Sequence, residues 1–153
     1  MADIRFVSTK GSDAHIDEIS GLDIFKTCGE IRYKVFIEEQ GFEVEFDDID
    51  ASALHVLMFL DGKPIGAGRI YSHPTIEDAQ LIGRVVLAKE YRGQGLGSVL
   101  FKGLEDFAEG PWIYLHAQEN KKGFYEKMGY EWDGAEPDYE EFMKHIWMKK
   151  KLK

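Results

Sequence analysis

The sequence predicts an α/β domain of mixed α+β type: a mixed β-sheet of about six to seven strands with helices on both faces. Three observations lead there. Short apolar or alternating runs recur with helical periodicity between them, two of those runs are joined by Asp61-Gly62, and another leads through three closely spaced glycines into an amphipathic helix. The 153 residues suit a single domain spanning 1–153, because a chain of this length hides about two-thirds of its unfolded surface in one core.

Taken in order, Ile4 to Ser8 alternates weakly and is expected to be an edge strand. Leu22 to Gln40 has helical spacing, with Cys28 in register with Phe25, Arg32 and Val35, so the sole cysteine reads as a small buried hydrophobe. Leu54 to Leu60 and Ile65 to Ser72 form a hairpin, since Asp-Gly tolerates the positive φ of a two-residue turn. Leu81 to Leu87 is a further strand, and Leu96 to Ala108 is a helix that Pro111 closes, with Leu96, Val99, Leu100, Leu104 and Phe107 on one face. Trp112 to Ala117 is a strand, Lys121 to Met128 a short helix stopped by Gly129, and Tyr130 to Trp132 joins His145 to Met148 in a last hairpin.

Composition removes several classes of function. A net charge of −9 opposes general nucleic-acid binding, which depends on neutralising phosphates. No apolar run approaches the ~20 residues of a membrane span, and Met1-Ala2-Asp3-Ile4-Arg5 lacks a hydrophobic signal region, so a soluble cytoplasmic protein is expected. His15, His73 and His145 show no ligand spacing, so no metal is expected. Charge is segregated: Glu38, Glu39, Glu43, Glu45, Asp47, Asp48 and Asp50 form an acidic stretch, whereas Lys89, Arg92, Lys121 and Lys122 flank two glycine-bearing segments. The acidic stretch suits either a cationic acceptor or a solvated loop after a helix.

The first of those segments, Arg92-Gly93-Gln94-Gly95-Leu96-Gly97-Ser98, reads as a diphosphate cradle. Missing Cβ atoms let the backbone approach a bulky anion and adopt dihedrals other residues avoid. The helix beginning at Leu96 adds unpaired N–H groups and partial positive charge, and Arg92 a cation able to clasp phosphate bidentately. Two rival anion loops fail on spacing. A dinucleotide fingerprint would need glycine where Ser98 stands, and a nucleotide loop would need a following lysine. Valine at Gly95 or Gly97 is expected to abolish cofactor binding by filling the phosphate position.

Arg92, Gly95 and Gly97 match the phosphate-loop pattern of the GNAT superfamily of N-acetyltransferases, and Gln118-Glu119-Asn120-Lys121-Lys122-Gly123-Phe124-Tyr125-Glu126-Lys127-Met128-Gly129-Tyr130 resembles a second family segment, with Gln118 where Asn is usual. Arg32-Tyr33-Lys34-Val35-Phe36-Ile37-Glu38-Glu39-Gln40, followed by Glu45, Asp50 and His55, is similar to the ElaA-like subgroup. The resemblance covers nearly the whole chain. It implies acetyl-CoA as co-substrate and no metal, an amine acceptor on a small molecule or peptide, and a homodimer as the expected assembly. It further implies a sheet that splays open between the Leu81 to Leu87 and Trp112 to Ala117 strands, where Val85, Val86 and Leu87 would pair with the pantetheine arm, alongside Gln118.

Acetyl transfer needs a neutral amine, an oxyanion donor and a proton for the departing thiolate. Supplying a neutral alkylamine at pH 7 costs roughly 4 to 5 kcal/mol. A backbone N–H near Val86 is the natural oxyanion donor, and Tyr125 is the candidate acid, donating uphill by only about 2 kcal/mol from an ordinary phenol. Relatives often carry a glutamate before the phosphate loop, where this chain has Gly83 and Arg84. His116, alternating with Trp112 and Tyr114, is an alternative base, or else a hydrogen-bonded sheet histidine. Arg84 could orient an acidic group on the acceptor or pair with a buried carboxylate. Arg32, on an apolar helix face, implies a partner in Glu45 or Asp50 and a place in the acceptor wall, and His55 could line the same cleft. The non-enzymatic alternative is an acyl-CoA-binding sensor or regulatory protein.

Overall fold

The computed structural model describes residues 2–42, 46–140 and 142–152. Eight strands make one sheet: β1 (Ile4–Lys10), β2 (Leu54–Leu60), β3 (Lys63–Ser72), β4 (Ala79–Leu87), β5 (Trp112–Gln118), β6 (Glu131–Trp132), β7 (Asp138–Glu140) and β8 (Met143–Lys151). The order is β1-β2-β3-β4-β5-β8-β6, with β7 sharing β8's outer edge. Only β4 and β5 run parallel. The mixed sheet is as expected. Strand β7 is the element that sequence periodicity does not reveal, because Asp138–Glu140 is short, polar and exposed.

Alternation along β2 divides the core. Val56 and Met58 face one side, where α2 (Leu96–Phe107) seats Leu100, Phe101 and Leu104. Leu57 and Phe59 face the other, against Ile24, Cys28, Ile31 and Val35 of the first helical segment. Glycine permits the closest approach: a Cβ on Gly68 of β3 would stand 2.6 Å from Leu104. Cys28 is buried as the helical register predicts, its thiol pushed up to about 12 by that burial.

Two local features depart from the regular elements the sequence suggests. The run from Leu22 to Gln40 is α-helical only over α1 (Ile24–Arg32), which Asp23 caps through Lys26 N, and then widens into a π-helix over Tyr33–Glu39. The bond from Gln40 N to Val35 O shows the longer repeat. In β4 a bulge sets Arg84 and Val85 opposite the single residue Gly68, with Arg84 at φ 50°. The extra residue turns the end of β4 away from a straight path. The Asp61-Gly62 turn forms with φ 49° and 82°, as the hairpin requires.

Candidate active site

Strands β4 and β5 are paired only at Ala79–Trp112, Gln80–Ile113 and Leu81–Tyr114. Beyond Leu81 they part, and a cavity of about 280 Å³ opens in the gap. Tyr125 of α3 (Lys122–Lys127) lines it together with Val85, His116, Gln118, Arg84 and Glu140. Thus Tyr125 and His116 do share one cleft.

The glycine loop joins β4 to α2, and none of Arg92 to Ser98 is among the residues lining this cavity. Gly93 and Gly95 both have φ of 78°, and a Cβ on either would meet nothing within 4 Å. Gly95 forms the N-cap of α2, so the bare backbone leads directly into the helix. Gly97 differs from expectation. It has no positive φ, and its Cβ would touch the Phe124 ring at 3.4 Å, so its smallness serves the contact between α2 and α3. Ser98 Oγ donates to Gly95 O at 3.0 Å and Gln94 Nε2 to Glu90 O at 3.3 Å, bonds that brace the loop. Leu96 packs against the core.

Arg92 is also placed otherwise than predicted. Its fork grips Glu39 at 2.8 and 3.1 Å, and its Nε donates to Leu87 O at 2.9 Å. The cation therefore ties the π-helix to the end of β4, and the Leu87 carbonyl is engaged before any ligand arrives. Val86 turns its side chain into the α1 core while Val85 borders the cavity. Gln118 Nε2 donates to Gln40 Oε1 at 2.9 Å. Lys121, treated by sequence reading as a flank only, lines the cavity; burial lowers its pKa, with Arg92 adding to the shift. An anion beside it would relieve both effects.

Part of the cavity wall is built from ion pairs. Asp50, 5% exposed, lies between Arg32 Nη1 at 2.9 Å and Arg69 Nη1 at 2.8 Å, and Arg69 also grips Asp47 at 2.6 and 2.9 Å. Arg84 reaches Asp47 at 3.4 Å and Glu140 at 3.7 Å. Within the acidic stretch the arginines neutralise buried Asp50 and the partly exposed Asp47, whereas Glu38 and Asp48 are exposed, as a solvated loop would have them. Glu43 and Glu45 lie outside the described residues. Two site expectations fail here. Arg32 is 1% exposed and does not border the cavity, its partner being Asp50. His55 is equally buried, donating from Nε2 to Asp50 O at 2.9 Å and packing edge-on to Phe25, with burial depressing its pKa. Both are framework residues behind the wall.

His116 lines the cleft but offers no free nitrogen. Nε2 meets Asp138 Oδ1 at 2.6 Å and Nδ1 faces Glu140 Oε2 at 3.5 Å. Burial pulls its pKa down, yet hydrogen bonding with Glu140 and Asp138 outweighs that and raises it. A ring whose two nitrogens both face carboxylates turns no lone pair toward a substrate, which fits a positioning role better than the expected base role. Sequence reading missed Glu140 and His145, which border the same cavity. Their signal is faint: Asp138 and Glu140 share one face of a strand too short to show periodicity.

Tyr125 fits its expected place. Its ring stands edge-on to Phe101 at 5.3 Å, and burial pushes the hydroxyl up to about 12.

Among known proteins, a family model described as an acetyltransferase (GNAT) domain matches residues 22–152. The chain is 33% identical to YyaT of Bacillus subtilis (strain 168) over 136 residues, covering 80% of this chain and 85% of that protein. It is similar in structure to Escherichia coli ElaA, with a TM-score of 0.77 at 23% identity over 97% of this chain and 100% of ElaA. An acyl-CoA N-acyltransferase from Pseudomonas aeruginosa gives a TM-score of 0.79 at 24% identity, covering 97% and 99% of the two chains. No helix among the described residues is long and apolar enough to cross a membrane.

Proposed function

Because this chain belongs to the GNAT acetyltransferase family, we propose that it moves an acetyl group from acetyl-CoA to the primary amine of a small molecule or peptide, by direct attack of the amine on the thioester. The observation that carries the reading is the parting of β4 from β5 beyond Leu81, with Tyr125 lining the cavity that opens there and the glycine loop joining the end of β4 to α2.

The residues fit the coenzyme. Open space over Gly93 and Gly95 suits a diphosphate, and strand edges that part leave peptide groups able to pair with an amide-bearing arm. Acetyl-CoA, when bound, supplies the activated acyl group and a thiolate that can leave. The chain's own groups do the rest. Backbone amides from Gly93 to Ser98 and the first turn of α2 hold the phosphates, Val85 and Val86 flank the arm, and the Val86 N–H is the donor for the thioester oxygen.

Tyr125 is the acid. With its pKa near 12 the hydroxyl stays protonated throughout the physiological range. Donation to a thiolate of ordinary basicity is then uphill by roughly 5 kcal/mol, more than an unperturbed phenol would require. Desolvation in the same cavity raises the thiolate's basicity too and narrows that gap.

Thiol release from acetyl-CoA, measured with polyamines, amino sugars, amino acids and peptides, tests the reading, beside calorimetry of CoA. Saturable CoA binding with no release for any amine would move the protein to the acyl-CoA-binding sensor class. No binding would remove the reading altogether.

A further inference from the structure

Resting on the acetyltransferase reading, we propose that His145, with Glu140 beside it, is the station that receives the acceptor's ammonium group and removes its proton. The geometry begins with a fixed tautomer. His145 Nδ1 lies 2.9 Å from Met143 O, and a carbonyl only accepts, so the ring hydrogen sits on Nδ1 and Nε2 is left as a bare lone pair. That nitrogen looks toward Glu140 Oε2 at 3.9 Å. The separation is too long for a hydrogen bond between them, and neither atom has a proton to offer the other. Glu140 Oε2 also faces His116 Nδ1 at 3.5 Å and keeps a second lone pair, so it and His145 Nε2 can share one further donor, and an ammonium carries three N–H bonds.

The surroundings favour an ammonium over a bare cation. His116 and His145 stack with ring centroids 4.5 Å apart at 24°, and one nitrogen of each lies with a Glu140 oxygen within 4.8 Å of the others, a grouping with no ion in it. His116 is already anchored on Asp138. Metal coordination would need both rings neutral and turned toward a common centre. Phe36, Phe42 and Trp147 border the same cavity, and their apolar surfaces lower the pKa of an ammonium brought among them.

The groups that face His145 set its readiness. Burial lowers its pKa, the Met143 carbonyl works against that, charged His116 lowers it further, and Glu140 and Asp138 pull it up; the net direction is down. Hydrogen bonding with His116 lowers the pKa of Glu140 most, burial opposes it, and Arg84 at 3.7 Å lowers it further. At neutral pH the Nε2 lone pair is therefore present. In the step, this lone pair takes one proton from R–NH3+, leaving R–NH2 and an imidazolium steadied by Glu140. The amine's lone pair then forms the N–C bond as the C–S bond breaks. The second nitrogen proton replaces the one Tyr125 gives to the thiolate, and His145 releases the first to solvent. His116, clamped by Asp138, is a positioning residue for Glu140.

Two measurements test this. In protein labelled with 15N-histidine, imidazole NMR at pH 7 should find His145 in the Nδ1–H form, and ethylammonium chloride should shift its Nε2 signal saturably in the wild type but not in Glu140→Gln. A charged His145, the opposite tautomer, or stoichiometric Zn2+ binding that abolishes the ethylammonium response would overturn the proposal. With acetyl-CoA, His145→Gln should lower kcat/KM about hundredfold for ethylamine, but less than about threefold for trifluoroethylamine, which is largely neutral at pH 7. Equal losses for both amines would overturn it as well. If the wild type releases no thiol with any amine, the transferase reading fails by itself, and the NMR arm still decides whether His145 and Glu140 bind an ammonium.

Discussion

The glycine loop and the cleft wall are built from different materials. The phosphate end is backbone: glycines at φ 78° over open space and the first turn of α2, with side chains such as Arg92 and Ser98 spent on bracing. The acceptor end is side chain: Asp47, Asp50, Arg32, Arg69, Arg84, Glu140 and two stacked histidines, drawn from the first helical segment, the following loop and strands β3, β4, β5, β7 and β8. A backbone site tolerates change everywhere except where a Cβ intrudes. A side-chain site is only as sound as its least paired charge.

The largest effect should come from the acceptor end. Asp50→Ala would remove the buried carboxylate that Arg32 and Arg69 share, and should destabilise the fold by about 3 to 5 kcal/mol, read as a lower urea midpoint. The pH dependence follows from the same groups. Burial pushes the Asp50 carboxyl up, the two arginines outweigh it, and the net pKa is depressed; Asp47 is depressed chiefly by its hydrogen bonds with Arg69. The stabilisation they confer is complete above about pH 4 and is lost as pH falls through the lowered folded values, so acid unfolding of the wild type should be steep there. A variant lacking Asp50 that melts like the wild type would break the contrast.

At the phosphate end the corresponding lesion should spare stability and strike binding. Gly95→Val should weaken CoA at least about hundredfold in calorimetry, because the side chain enters the cradle at a φ that β-branched residues resist. Gly97→Ala should cost no more than a tenth of that, its Cβ meeting Phe124 and not the ligand space. Equal losses at the two glycines would show that the loop acts as one packed unit.

Tyr125→Phe should lower kcat about ten- to hundredfold with CoA affinity within twofold, if its hydroxyl is the proposed acid while its ring serves the α2–α3 packing. Unchanged turnover would remove the acid role. The smallest effect is expected at His116→Gln. The folded pKa of His116 is raised, so its contribution to stability is fully present below about pH 6.5 and fades as pH rises through the folded value. The difference in melting temperature between wild type and variant should therefore shrink from pH 6 to pH 9. A difference that grows would mean that His116 is neutral and the carboxylates are held by something else.

The contrast between the two ends also explains what the sequence alone could determine. Periodicity is local, so the β2–β3 hairpin through Asp61-Gly62 and the strand-loop-helix unit from Leu81 to Phe107 follow from residues near one another in the chain, whereas the place of Tyr125 was implied only by the resemblance of its segment to the family. The turn to a π-helix after Arg32, the bulge at Arg84 and the short strand β7 carry no such signal, because each is set by what the backbone meets across the sheet. Arg32 announced a partner by its apolar helix face; that the partner is Asp50, shared with Arg69, needed two further elements to converge. Nor could chain order reveal that His116 has both nitrogens faced by carboxylates while His145 keeps a lone pair toward the cleft. Hydrogen-bond partners over such sequence distances are chosen by packing, and packing was the part of this site that only the tertiary structure decided.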